Sequence, residues 1–270
     1  MSTKLLMGLF ILILTACAGS PPARVPALRL STEEANRAAV SAAQALRWEN
    51  AVTSWREALA GYQAMDDWQG QGRARLGLGQ AYARLGRDDL ARGYLEAMLE
   101  SAIFPEEQRA SAAYQLALLD VLHHDRALEL LDAARRFCGA NCSLVVQFDN
   151  LAARLAAGRG DWESVRRLAQ RALDAAGSMP AERSHAHRLL GEAALAGNSP
   201  LVAREHLRAA LLDDRQLAEP EWLLEDYRLL EKTAALLADD PLVQEAQMRQ
   251  KSICAAARIP GCSGQSGGLP

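Results

Sequence analysis

From Ser31 to about Arg258, apolar residues recur three and four positions apart, with charged residues on the opposite stripe. That spacing follows the 3.6-residue turn and predicts amphipathic helices throughout. Ala and Leu supply most of the apolar stripe, and β-branched runs are nearly absent. The first helix is expected to open at Ser31-Thr32-Glu33-Glu34, where Ser31 as N-cap and Glu34 three residues later would form a capping box. Asp88, Asp125, Asp161 and Ser199 stand ahead of later helices as further N-cap candidates.

The hydrophobic pattern at the start of the chain is different. One positive charge, Lys4, precedes Leu5 to Leu14, a run too short to cross a bilayer as a helix. It reads as the apolar segment of a signal peptide, residues 1–16. Leu14-Thr15-Ala16-Cys17 resembles the bacterial lipobox. That resemblance implies lipidation of Cys17 by a diacylglyceryl group, a mature chain beginning there with three acyl chains, and lasting anchorage. Ala18 stands where an Asp would favour the inner membrane, so the resemblance implies an outer-membrane lipoprotein facing the periplasm. Residues 17–30, with Pro21, Pro22 and Pro26, read as a flexible tether.

The helical region repeats itself. One unit contains Leu78-Gly79-x-x-Tyr82, then Gly86, Ala91, Leu95 and Met98; a second contains Leu190-Gly191-x-x-Ala194, then Asn198, Ala203, Leu207 and Ala210. Small residues such as Gly79 and Ala91 belong where two helices cross. Weaker units begin their second helices at Ala51, Ala127 and Val165. These units resemble the tetratricopeptide (TPR) pattern of paired antiparallel helices. The marker positions 51, 91, 127, 165 and 203 are 40, 36, 38 and 38 residues apart. The family's unit is about 34 residues, so a departure from a regular superhelix is expected, with longer helices or loops that flatten or splay the array while pairwise helix packing survives. The predicted fold is an all-α solenoid: about five repeats over residues 31–217, a C-terminal capping helix pair at 218–258, and a Gly- and Ser-rich tail at 259–270.

Composition narrows the function. A formal net charge of −3 gives no overall attraction for nucleic acid. Apart from Cys17, four cysteines remain, and export to an oxidising compartment predicts two local disulfides, Cys138–Cys142 and Cys254–Cys262. No metal or cofactor is expected: the histidines (His123, His124, His185, His187 and His206) lack ligand spacing, with His187 assigned to packing and His185 to the opposite face. Gly264-Gln265-Ser266-Gly267-Gly268 matches a hydrolase string but has no strand before it and no helix after it. Trp68 falls in what reads as an insertion, Asp66 to Gln71.

By resemblance, the first helix of each pair lines a concave binding surface. Carrying the frame over position by position gives Arg73, Gln80, Arg84, Arg109, Asp120, Gln147, Asn150, Arg154, His185, Arg188 and Glu192. Five arginines among these suggest a cationic groove for acidic segments. The expected function is a non-catalytic scaffold or adaptor that binds other envelope proteins or peptide segments, as lipoproteins of pilus secretins, outer-membrane assembly and peptidoglycan-enzyme recruitment do. The alternatives are a helical peptidoglycan-active enzyme, which needs a catalytic carboxylate in a cleft, and a small-ligand carrier, which needs a pocket between helices.

Overall fold

Ala and Leu at helical spacing give what their pattern asks for. The computed structural model describes residues 26–139, 142–257, 259 and 262. Among these it contains helices and no strands. The helices are α1 (Ala27–Gln44), α2 (Trp48–Ala64), α3 (Trp68–Arg84), α4 (Asp88–Leu99), α5 (Glu106–Leu119) and α6 (His124–Cys138), followed by α7 (Val145–Gly158), α8 (Trp162–Ala175), α9 (Pro180–Ala196), α10 (Pro200–Leu217), α11 (Pro220–Leu236) and α12 (Asp240–Ala256). Each packs on the helix before it, giving a solenoid of antiparallel pairs.

The turn inside most pairs has one design. Leu46, Gly86, Gly160, Asn198 and Ala238 each sit at positive φ in the middle of a three-residue link, and Asp66 does the same between α2 and α3. The following amide closes back on the helix: Arg47 N to Ala42 O (2.8 Å), Arg87 N to Tyr82 O (2.9 Å) and Asp239 N to Ala234 O (3.0 Å). This is the Schellman arrangement, which needs a left-handed residue to satisfy the last carbonyls of the helix.

The repeat markers Ala51, Ala91, Ala127, Val165 and Ala203 are all fully buried. At Gly79 an added Cβ would lie 2.6 Å from Leu95 Cδ2, and at Gly191 one would lie 3.0 Å from Leu207. The expected crossing points are therefore real, and glycine is what lets the helices meet. Leu242 and Ala246 bury α12 against α11, which carries the paired packing through the last two helices.

Several local expectations are corrected. The first helix opens at Ala27, directly after Pro26, and not at Ser31. Ser31 and Thr32 lie inside it and donate their hydroxyls to Leu28 O at 3.0 and 2.7 Å, so no capping box forms and residues 27–30 are not tether. Pro26 accounts for the earlier start, since a residue without an amide proton belongs at a helix entrance. Asp161 caps α8 through Ser164 N, as expected. Asp88 and Asp125 stand one and two residues further in, behind N-cap residues Arg87 and His123, and Ser199 turns its hydroxyl to Gly197 O. Trp68 opens α3 and meets Phe104 edge-on at 5.4 Å, so the supposed insertion is a helix start. The array is also not flat: Arg84 on α3 reaches Glu219 ahead of α11 at 3.2 Å.

Both disulfides, Cys138–Cys142 and Cys254–Cys262, are formed. The signal segment, Cys17 and the hydrolase-like string lie outside the described residues. Among the described residues no helix is long and apolar enough to cross a membrane.

Candidate binding groove

Four first helices, α5, α7, α9 and α11, turn one face toward a common cavity of about 300 Å³. From α5 come Tyr114 and Leu118; from α7 come Asn150, Leu151 and Arg154. Helix α9 contributes Glu182, His185, Arg188, Leu189 and Glu192, and α11 adds Trp222 and Glu225. Of the expected lining, Asn150, Arg154, His185, Arg188 and Glu192 therefore converge here.

The others lie elsewhere. Arg73 donates to the Tyr62 hydroxyl at 3.4 Å and sits 3.9 Å from Glu33, tying α3 to α1 and α2. Gln80 is exposed on α3. Arg84 pairs with Glu219 and Glu221 and lies over the Trp48 ring. Arg109 donates to Leu99 O and stacks 4.1 Å from the centre of the Phe137 ring. Asp120 is buried at the end of α5 and accepts from Arg92 of α4 (2.6 Å) and Arg126 of α6 (3.0 Å), which makes it a clasp between helices and not a groove residue. Gln147 keeps a buried Oε1 without a donor among the described residues.

The charge of the groove differs from the sequence expectation. Arg188, 4 % exposed, is held by Asp214 of α10 and by Asp226 of α11, the latter at 2.6 Å from its Nε. With Arg73, Arg84 and Arg109 engaged as above, Arg154 alone of the five makes no ion pair or hydrogen bond among the described residues. Glu182, Glu192 and Glu225 share the same wall. The arginines that suggested a cationic surface are largely spent on holding helices together, and the cavity is rich in carboxylates.

Burial sets the protonation states. Glu192 is pushed up to about 7, first by burial and then by Glu225, with Arg188, Arg154 and Lys232 pulling the other way. His185 is pushed down to about 3 by burial and by Arg188 and Arg154, so its ring is neutral. Arg188 Nη1 donates to its Nδ1 at 3.2 Å, which leaves the proton on Nε2. Its ring meets Trp222 edge-on at 4.5 Å. Asn150 donates to Glu182 at both its backbone O (2.9 Å) and its Oε2 (2.8 Å), and burial raises the Glu182 carboxyl. Burial also raises Asp226, against the pull of Arg188.

Histidine 187 does face the packing side: its Nδ1 is 3.0 Å from Nδ1 of His206, one ring donating to the other. Among the described residues no group of three or more His, Cys, Asp or Glu side chains is arranged to hold a metal.

Sequence reasoning missed Tyr114, Glu182, Trp222 and Glu225. A usable signal existed for Glu225. Asn150, His185 and Glu225 each stand six residues after the N-cap residues Leu144, Met179 and Glu219, so extending the frame by one more pair finds it. Helix α11 thus lines the groove as the first helix of the last pair.

Fold and groove together define a class, an all-α solenoid with a concave, carboxylate-rich pocket on its first helices. No family model and no curated protein matches the chain. Among solved structures it is similar to the crystal structure of BtubC (BKLC) from P. vanneervenii, with a TM-score of 0.51 at 17 % identity, covering 91 % of this chain and 98 % of that one. At such identity the likeness concerns the fold alone, and it extends over nearly the whole length of both chains.

Proposed function

We propose that the chain is a TPR-type lipoprotein, anchored through Cys17 at the periplasmic face of the outer membrane, that holds segments of envelope proteins in its groove without catalysing a reaction. The observation that carries this reading is the convergence of α5, α7, α9 and α11 on one cavity, because a binding surface assembled from successive first helices is how such arrays engage peptides. The fully buried small residues at the repeat markers support the TPR assignment. The Leu14-Thr15-Ala16-Cys17 run supports the anchor.

The test places a photo-crosslinking amino acid at Leu118, which lines the cavity and is 39 % exposed, with Met248 on α12, 66 % exposed, as control. A discrete protein adduct from position 118 and none from position 248, in intact envelopes, is the expected result. Adducts that are equal at both positions, or absent from 118, reject the scaffold. Separately, Cys17→Ala is expected to abolish incorporation of labelled palmitate; retained label rejects the anchor.

A second reading has one residue in its favour. Glu192 presents a half-buried carboxyl with a pKa of about 7 in a cleft, as a general acid requires. Hydrolysis of peptidoglycan by the purified chain that is lost in Glu192→Gln would replace the scaffold by an enzyme.

A further inference from the structure

The cavity selects the sign of what enters it. Arg188 is neutralised by Asp214 and Asp226, and His185 is uncharged, so Arg154 is the one cation of the lining left to meet a ligand among the described residues. Against it stand three carboxylates. Glu192 makes no ion pair or hydrogen bond among the described residues, Glu225 comes only to 4.0 Å from Arg188 Nε, and Glu182 accepts from Asn150. Asn150, 6 % exposed on the cavity wall, also keeps an Oδ1 that no donor reaches. Unsatisfied acceptors next to carboxylates call for a ligand that brings hydrogen-bond donors and positive charge. Between them lie Leu118, Leu151, Leu189 and Trp222, an apolar wall suited to an aliphatic stem. About 300 Å³ is the lower end of ligand-pocket sizes, which suits a side chain and not a whole helix.

We propose that this cavity receives a protonated lysine or arginine side chain of a partner segment, its charge set against Glu192 and Glu225 and its stem against Leu118, Leu151 and Trp222. This rests on the scaffold reading and gives it a specificity. The high pKa of Glu192 agrees with it: burial first and then Glu225 raise it, against the pull of Arg188, Arg154 and Lys232, and a bound cation lowers it again. An acidic side chain, by contrast, would meet those carboxylates with only Arg154 in its favour.

The experiment uses the full chain in detergent and two probes, acetyl-Ala-Leu-Lys-Leu-Ala-amide and the same peptide with Glu for Lys, titrated by calorimetry. The lysine peptide is expected to bind and the glutamate peptide to bind at least about tenfold more weakly. The double variant Glu192→Gln/Glu225→Gln is expected to lose about tenfold for the lysine peptide, with unchanged circular dichroism. Equal affinity for the two peptides, no binding of the lysine peptide, or no loss in the double variant overturns the proposal. The peptide comparison on the unaltered chain stands even if the double variant does not fold. A chain that crosslinks a partner at position 118 yet ignores the lysine peptide rejects the cation pocket and leaves the scaffold. One that binds the peptide but crosslinks nothing rejects the scaffold.

Discussion

Arg84 Nη2 donates to Glu219 Oε2 at 3.2 Å across 135 residues, joining the second helix pair to the sixth. No helix-by-helix packing demands this contact. The small rotation at each pair brings the two ends of the array within reach, and the ion pair then holds them together. Glu221 adds a second carboxylate at 3.8 Å.

The charge reversal Arg84→Glu is therefore expected to open the array while barely altering stability. Part-exposed ion pairs contribute about 0–1 kcal/mol, so the melt should hardly move. Small-angle scattering should show a larger radius of gyration. An unchanged radius would mean that helix packing alone sets the curvature.

Arg188 is a different case, since its side chain is 5 % exposed and both of its aspartates are fully buried. Arg188→Ala strands two carboxylates between α9, α10 and α11, and a loss of about 3–5 kcal/mol is expected in urea unfolding. Replacing all three together, as Arg188→Met, Asp214→Leu and Asp226→Leu, should recover most of it, because a well-packed apolar cluster can match a buried ion pair. Failure of the triple variant to recover would point to a geometric role for the triad.

The contribution of Glu192 to stability falls as pH rises from 4.5 toward 7, while His185, His187 and His206, whose folded pKa values are lowered, contribute in the opposite direction. The folded pKa of Glu192 lies above its unfolded one, so the folded state holds the proton more tightly. The stabilisation is complete below the unfolded value of 4.5 and is lost through about 7. Asp226, also raised, acts in the same direction. Glu192→Gln should shift the slope of unfolding free energy between those two pH values in the positive direction, measured by urea titration. An unchanged slope would show that other groups carry it.

The left-handed turns offer a cleaner test. Ala238 sits at φ 53° and Gly86 at φ 67°, in equivalent links. Ala238→Gly is expected to stabilise by about 0.5–1 kcal/mol, the left-handed cost for an L-residue less the added freedom of the unfolded chain. Gly86→Ala should cost a similar amount. Nothing lies within 4 Å of a Cβ built at Gly86, so the effect isolates the backbone. Thermal melts that move both variants the same way would contradict this.

Helix content, paired architecture, crossing glycines and both disulfides were legible because each depends on neighbours close in sequence. Apolar spacing of three and four, a small residue at each crossing, and two cysteines within one loop are local facts. What went wrong was also local but finer. Ser31 resembles a cap in the sequence, but Pro26 is the entrance to α1 although it stands in a Pro-rich stretch that also suits a tether. Trp68 looked inserted because its packing partner, Phe104, lies in a later link.

The chain's own sequence determined that successive helices pair and which face of each is buried, since a 3.6-residue period and a few small side chains admit little else. Tertiary structure decided the sign of the groove. Whether Arg84, Arg109 and Arg188 meet solvent or an acceptor depends on Glu219, Leu99 O and Asp226, which only the folded array brings alongside. A charge counted along the chain is a formal quantity; its field in a cavity is set by what neutralises it across space.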